Sequence, residues 1–188
     1  MKGAVVLVPY RPDTPERIGN WKRTRAQWRN WDLHHADSDG EGFARAQAVN
    51  RAAAAAGDWE VAIITDSDLL LDSTSQAVTA CRRARKSKGY FVCYDIFYYL
   101  TEATSQLVRA GQKPRPDMAY EHISRIWGGV FAIHRELWDA LGGFDERFKA
   151  WGGEDGDFLI RARGLEAVMD RVQGACYHMR HPLVQGAR

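Results

Sequence analysis

The sequence predicts an α/β fold in which a mostly parallel, Rossmann-like central sheet is flanked by helices, in a single domain of residues 1–188. Three short apolar runs, at residues 4–8, 61–65 and 130–133, are rich in β-branched side chains, as buried strands are. Segments of helix-favouring composition separate these runs, and this alternation is typical of parallel strand–helix–strand units. The chain length suits one domain, and no linker or low-complexity segment divides it.

Local signals place the elements of the first third of the chain. Thr14 and Pro15 are a helix-capping residue and a first-turn proline, and Gly57 ends an Ala-rich segment. The predicted elements are a strand at residues 4–8, a helix from Pro15 through the region of Trp28, a strand at 31–35 and a helix at 43–56.

The remainder alternates in the same way, with one exception. The predicted elements are strands at residues 61–65, 90–94 and 130–133, and helices at 73–86, 135–141 and 155–163. Residues 100–125 instead contain a helical piece and a segment rich in Gly and Pro at 111–116. We interpret this stretch as a long loop or lid.

Composition limits the functional class. The 26 Lys and Arg nearly balance the 24 Asp and Glu, so no general attraction to nucleic acid or membranes follows. Two basic runs are predicted to be solvated helix faces. They are Arg82, Arg83, Arg85, Lys86 and Lys88, and Arg23, Arg25 and Arg29.

Location is predicted from cysteine usage and from the N-terminus. Three cysteines without a short paired spacing argue against a disulfide framework and favour a reducing compartment. The apolar run at residues 4–8 is too short for a signal peptide or a membrane span. We therefore expect a soluble, cytoplasmic protein.

Asp66-Ser67-Asp68 directly follows the predicted strand at residues 61–65. Two carboxylates at the carboxyl end of a buried strand can hold a divalent cation, which can neutralise a diphosphate. A turn or helix cap is an equally good interpretation of this motif alone.

The motif at residues 151–157, Trp-Gly-Gly-Glu-Asp-Gly-Asp, is more specific. Gly152 and Gly153 let the backbone approach a ligand, and Glu154 and Asp155 fall at a helix start, where the dipole favours their ionised form. An ionised carboxylate beside a sugar can accept a hydroxyl proton, and Trp151 offers a flat face to a sugar ring. The alternative is a capped helix with a packed tryptophan.

Two histidines near the C-terminus, His178 and His181, can supply further ligands to a metal held by Asp68. Packed or surface histidines are the simpler interpretation. A zinc site of Cys176, His178 and His181 is a second alternative, but it leaves Asp66 and Asp68 unexplained.

Pro9-Tyr10-Arg11 ends the first predicted strand at the same edge of the sheet. Arg11 can meet a phosphate and Tyr10 can stack on a base, and Phe43 and Arg45 can add to that pocket. Packing and surface charge are the alternative for each.

Together these motifs resemble the GT-A fold of nucleotide-sugar glycosyltransferases, and in particular the β-1,4-galactosyltransferases and the polypeptide N-acetylgalactosaminyltransferases. Their motifs occur here in the family's order. The corresponding residues are Pro9-Tyr10-Arg11, Phe43-Ala44-Arg45-Ala46, Asp66-Ser67-Asp68, Gly128-Gly129-Val130, the 151–157 motif and His178-Met179-Arg180-His181.

The resemblance implies a metal-dependent, inverting transfer of a sugar from a UDP-sugar to an acceptor hydroxyl, with Asp155 as base and Glu154 orienting the acceptor. It implies Mn²⁺, with Mg²⁺ as the alternative, bound by Asp68 and His181, with His178 in place of a methionine and Asp66 nearby. The implied donor-binding residues are Pro9, Tyr10, Arg11, Phe43, Arg45, Asp66, Ser67 and Gly129. The implied acceptor-side residues are Trp151, Gly152, Gly153 and Glu154.

The sequence departs from the family at Gly156, where an acid is expected, and at residues 100–125, so the acceptor cannot be carried over. The acceptor would be a glycan, a protein or, less favoured, a modified nucleic acid. Two other functions stay open: a nucleotidyltransferase or phosphohydrolase using Asp66 and Asp68, and a binding module without catalysis.

Overall fold

The computed structural model describes residues 2–149 and 152–182. Its strands are β1 (Ala4–Pro9), β2 (Asp32–Ala36), β3 (Val61–Thr65), β4 (Leu69–Leu71), β5 (Tyr90–Val92), β6 (Ile96–Leu100), β7 (Tyr120–Ser124), β8 (Val130–His134), β9 (Met169–Arg171) and β10 (Ala175–His178). Its helices are α1 (Pro15–Gln27), α2 (Arg45–Ala55), α3 (Thr74–Ser87), α4 (Glu102–Arg109), α5 (Arg135–Leu141) and α6 (Glu154–Gly164).

Several helix boundaries follow from capping side chains. The Thr14 hydroxyl accepts a hydrogen bond from the Arg17 backbone N–H at 3.2 Å, with Pro15 in the first helical position. Ser73 and Gln76 form a reciprocal capping box at the start of α3. Gly142 ends α5 in the left-handed conformation. These boundaries confirm the corresponding sequence predictions.

A six-stranded sheet in the order β2-β1-β3-β8-β5-β9 forms the centre of the fold. β1 pairs in parallel with β2 and β3, and β5 pairs in parallel with β9, whereas β8 runs antiparallel to both of its neighbours. The predicted mostly parallel sheet is thus confirmed, with one strand reversed. Helices α2, α3 and α5 pack against it, and β1, β3 and β8 are buried along their whole length.

A second sheet, in the order β4-β10-β6-β7, was not predicted. It has its own apolar cluster with Val108 of α4, which includes Leu70, Tyr98 and Tyr177. The prediction of a long loop or lid at residues 100–125 is therefore wrong in part, because α4 and β7 occupy both ends of that segment. Between these two elements, residues 110–119 lack regular structure.

The remaining differences are small. The predicted strand at residues 90–94 ends at Val92, and the predicted helix at 43–56 begins at Arg45, which leaves Phe43 before the helix. Within the described ranges, no helix has the length and apolar character that crossing a membrane requires.

Candidate active site

The turn between β3 and β4 presents Asp66 and Asp68 at the carboxyl end of the central sheet. β3 ends at Thr65, and the Leu69 N–H donates to the Asp66 carbonyl at 3.4 Å, which closes the turn. The two side chains then diverge: Asp66 contacts Arg45, and Asp68 contacts two histidines. The motif thus serves two neighbouring subsites.

Asp68, His178 and His181 form a group whose ligand atoms all lie within 4.8 Å of one another. Asp68 Oδ2 lies 3.0 Å from His181 Nε2 and 3.6 Å from His178 Nε2. The antiparallel pairing of β4 with β10 sets His178 opposite Leu69, and the Met179 N–H donates to the Asp68 carbonyl at 3.0 Å. The second sheet therefore brings the predicted metal ligands together.

Electrostatics link the same three side chains. Burial raises the pKa of Asp68, but the adjacent His178 and His181 outweigh it and hold the pKa below its ordinary value. Burial lowers the pKa of His181, but the hydrogen bond to Asp68, the charge of Asp68 and the contact with the Pro182 carbonyl together outweigh this effect, and the net shift is upward. Asp68 Oδ1 is buried and has no hydrogen-bond partner among the described residues. One carboxylate oxygen and two imidazoles can thus ligate a divalent transition metal.

The alternative zinc set is not supported. Cys176 is fully buried, burial raises the pKa of its thiol well above the ordinary value, and it is not in the group of adjacent ligand atoms. Asp66, which the resemblance places near the metal, also lies outside that group and is bound to Arg45.

Arg45, the first residue of α2, joins the two halves of the site. Its Nε donates to Asp66 Oδ1 at 2.6 Å, and its Nη1 donates to Asp155 Oδ1 at 3.0 Å and lies 3.8 Å from Glu154 Oε1. Burial lowers the pKa of Arg45, but the three carboxylates outweigh it and raise the pKa above its usual range. Nη2 is buried without a partner in the described part of the chain, which leaves a donor for an anion.

Asp155 lies in the first turn of α6, where the helix dipole favours a negative charge. Burial raises the pKa of its carboxyl group, and Arg45 opposes that rise. A Cβ at Gly128 would lie 2.1 Å from Asp155 Oδ2, so the absence of a side chain there allows the carboxylate to approach the backbone. Asp155 is therefore a confined carboxyl group whose pKa lies above the ordinary aspartate value.

Glu154 braces the glycine turn that precedes α6. Its Oε2 accepts a hydrogen bond from the Gly152 N–H at 2.9 Å, and the residue is buried. Gly153 has φ +90°, and a Cβ there would lie 2.9 Å from Phe148 Cε1, so both its conformation and its surroundings favour glycine. The predicted sugar-stacking role of Trp151 lies outside the described residues.

Arg11 and Tyr10, which were predicted to bind the nucleotide, both contact other side chains of the protein. Arg11 donates from Nε to Asp37 Oδ1 at 2.8 Å and from Nη2 to the Ser38 carbonyl at 2.7 Å, and lies over the Phe43 ring at 5.7 Å. It thus holds the loop before α2. Tyr10 stacks on Trp21 with ring centroids 4.9 Å apart, and burial raises its pKa.

The other predicted donor-binding residues lie close to this loop and to the metal turn. Pro9 is the last residue of β1, and Ser67 lies between the two aspartates. Gly129 has φ +77°, with Leu69, Phe97 and Tyr94 within 3.3 Å of a notional Cβ.

Two tyrosines that sequence reasoning missed hold the Gly128 turn. The Tyr94 hydroxyl donates to the Gly128 carbonyl at 2.6 Å, and the Tyr90 hydroxyl donates to the Trp127 carbonyl. In the sequence they are two aromatic residues of an apolar run, which predicts only core packing. Their hydroxyl groups gain a role only in the folded protein, where the turn at Gly128 lies next to them.

The fold is the GT-A fold of nucleotide-sugar glycosyltransferases. Residues 106–182 match the model of a family described as the N-terminal domain of galactosyltransferase. This segment begins in α4 and extends past His181. The chain as a whole resembles the β-1,4-galactosyltransferases.

Solved structures support the fold assignment. The catalytic domain of Drosophila β1,4-galactosyltransferase 7, in complex with xylobiose, is 19% identical with a TM-score of 0.63, and the match covers 95% of this chain and 71% of that chain. GalNAc-T7 with UDP, GalNAc and Mn²⁺ is 14% identical with a TM-score of 0.58, over 95% of this chain and 44% of that chain.

A nucleotidyltransferase is also similar. The 2-C-methyl-D-erythritol 4-phosphate cytidylyltransferase of Thermus thermophilus is 15% identical with a TM-score of 0.57, over 95% of this chain and 93% of that chain. A comparison with curated protein sequences gave no match. At these identities the structures show the shared fold, and the site must supply the function.

Proposed function

We propose that this protein is a metal-dependent, inverting glycosyltransferase that moves a sugar from a UDP-sugar to an acceptor hydroxyl. The observation that carries the proposal is the contact of one buried guanidinium with both Asp66, beside the metal group, and Asp155, in the glycine-acid motif. This contact holds the proposed base and the aspartate beside the proposed metal site on one side chain.

Mn²⁺ is the proposed cofactor, held by Asp68, His178 and His181. The unpartnered Asp68 Oδ1 and two imidazole nitrogens suit a transition metal better than Mg²⁺, which prefers oxygen ligands. A bound cation would neutralise charge on the departing diphosphate. A mutant of Drosophila β1,4-galactosyltransferase 7, 20% identical, was crystallised with manganese, UDP-Gal and xylobiose.

The donor's diphosphate is proposed to meet Arg45 Nη2, the buried donor without a partner among the described residues. Pro9, Tyr10, Phe43, Ser67 and Gly129 are the proposed wall for the nucleoside and sugar. Arg11 acts on this pocket by holding the 37–44 loop, since its Nε and Nη2 already have partners.

Asp155 is the proposed base. It takes the proton of the acceptor hydroxyl as that oxygen forms a bond to the anomeric carbon. The bond from that carbon to the phosphate oxygen breaks, and UDP leaves with the electron pair. Attack from the face opposite to the leaving group inverts the anomeric configuration. Glu154, with Gly152, Gly153 and Trp151, is proposed to form the acceptor side.

The test compares the native protein with Asp155→Asn. UDP-sugars, Mn²⁺ and a panel of hydroxyl acceptors are incubated with each, and the anomer of the product is determined by NMR. We expect an inverted product from the native protein and no transfer by Asp155→Asn. The dissociation constants for UDP, measured by calorimetry, should agree within about twofold between the two proteins. Unchanged turnover in the variant, or a product with retained configuration, would overturn the assignment.

A nucleotidyltransferase is the second candidate, favoured by the likeness to the cytidylyltransferase. Incubation with UDP-sugar and Mn²⁺ but no acceptor separates the two. Slow release of free sugar and UDP supports the transferase, and release of a sugar 1-phosphate supports the rival. Nucleotide binding without product under any condition would indicate a non-catalytic module.

A further inference from the structure

A groove of about 420 Å³ lies apart from the proposed catalytic site. It is formed by the C-terminal half of α1, the edge strand β4, the start of α3 and the loop after α4, and its lining includes Arg23, Gln27, Arg29, Asp72 and Lys113. Its volume is within the range of about 300–1,000 Å³ that is typical of small-molecule sites. Asp72 of the groove lies four residues after Asp68 of the metal group along an extended segment. At the usual strand rise this separates the two residues by about 13 Å.

Charge in the groove is unbalanced. Arg23, Arg29 and Lys113 face a single acid, Asp72, which lies 3.4 Å from Lys113. Neither Arg23 nor Arg29 has a carboxylate within 4.0 Å in the described part of the chain. The groove therefore carries uncompensated positive charge, which attracts anions.

The other basic run of the sequence, at residues 82–88, differs in its pairing. Arg83 pairs with Asp170 at 3.1 Å, Arg85 with Glu60 at 2.7 Å and Lys88, just after α3, with Glu136 at 2.6 Å. The sequence predicted a solvated helix face there, and the structure adds these ion pairs. The run at residues 23–29 has no such ion pair in the described part of the chain.

Two donors of the groove add an independent observation. Arg23 Nε and Gln27 Nε2 are buried and have no hydrogen-bond partner among the described residues. Most buried polar groups in proteins are paired, and leaving a buried donor unpaired is unfavourable. The two residues are one helical turn apart on α1, so their donors project on the same side.

From the cavity, its charge and its unpaired donors, we infer that this groove binds a phosphate or sulfate monoester carried by a saccharide. Tetrahedral oxyanions accept several hydrogen bonds at once, and guanidinium groups match their geometry. A concave groove with three cations fits a single anionic group better than a duplex, whose binding spreads over many phosphates. The choice of a saccharide as the carrier of the ester rests on the proposed function; the binding of an anionic ester in the groove does not.

The test measures binding and needs no turnover. Glucose 6-phosphate, glucose 6-sulfate and glucose are titrated by calorimetry into protein saturated with UDP and Mn²⁺, so that the donor site is occupied. Arg23→Gln and Arg29→Gln are compared with Arg25→Gln, which removes the same charge at a position between them on α1 but does not line the groove. Arg29 is exposed, so its variant tests the groove even if Arg23→Gln fails to fold.

We expect binding of one or both anionic sugars and none of glucose. Affinity should fall about tenfold or more in the two groove variants and less than about twofold in Arg25→Gln, since a hydrogen bond to a charged group is lost only in the former. Binding of one anion alone identifies the ester. Equal losses in all three variants, equal affinity for glucose, or no binding would overturn the inference. The inference would also be overturned if an oligonucleotide bound more tightly than the anionic sugars and if Arg25→Gln weakened that binding as much as the two groove variants do. The transfer assay with neutral acceptors stays an independent test of the proposed function.

Discussion

Arg45 Nη1 lies 3.0 Å from Asp155 Oδ1, across 110 positions of sequence. The same guanidinium holds Asp66 at 2.6 Å, so one cation neutralises carboxylates from both motifs. The site can therefore be perturbed at its centre by a single substitution.

Replacing Arg45 by Met should destabilise the fold, because it leaves Asp66, Asp155 and Glu154 without their shared counter-charge. Removing one member of a buried ion pair costs about 3–5 kcal/mol. Because both aspartates are about one-third exposed, we expect the lower end, about 3 kcal/mol. Urea unfolding measures it. Arg51→Met on the same helix removes a much more exposed pair with Asp39 and should destabilise the fold far less, because solvent screens that pair. Equal losses would contradict the central role of Arg45.

The pH profile of transfer should report the raised pKa of Asp155. A base acts in its ionised form, and burial raises this pKa above the usual aspartate value despite the opposing charge of Arg45. Activity should therefore rise with pH through a midpoint above that of an ordinary aspartate, and be lost as pH falls below it. Rates from about pH 4 to 8 at saturating Mn²⁺ measure the midpoint. A profile that is flat across this range would contradict the assignment.

Gly128→Ala should remove activity while sparing the fold around the metal. The new Cβ would lie 2.1 Å from Asp155 Oδ2 and must displace that carboxylate. We expect a loss of transfer of at least about 100-fold with Mn²⁺ affinity unchanged.

Gly156→Ala is the matched control for this change, one residue from Asp155. Its Cβ would meet nothing within 4 Å, and alanine favours a helix by about 0.5–1 kcal/mol. That variant should stay active and become slightly more stable to urea. Full activity in Gly128→Ala would show that Asp155 need not occupy this position.

His181→Ala and His178→Ala should separate the two candidate metal ligands. His181 Nε2 is 3.0 Å from Asp68 Oδ2 and His178 Nε2 is 3.6 Å, so both should weaken Mn²⁺ binding, by at least about tenfold each. Titration of free Mn²⁺ by electron paramagnetic resonance measures the affinity. His34→Ala, on β2 and paired with Asp32, should leave it unchanged. If only one variant binds more weakly, the other histidine is not a ligand.

The sequence by itself determined the elements whose signals are local. The apolar run of β3 was predicted with the limits that the structure shows, and so was α5. Thr14 and Ser73 marked helix starts because a cap needs only its own first turn. The acidic motifs were found in the same way, since a strand end and a helix start are visible in the residues alone.

Only the tertiary structure decided how these pieces meet. The second sheet was missed because β4 has three residues, and β6 and β7 follow no clear alternation. Pairing with β10 stabilises β4 and β6, and β6 in turn pairs with β7. That pairing assigns His178 and His181, rather than Cys176, to Asp68. Likewise, Arg45 was predicted as a donor-binding residue, and the structure shows that it also bridges Asp66 and Asp155. Contacts between distant parts of a chain depend on packing and burial, which no local pattern of residues specifies.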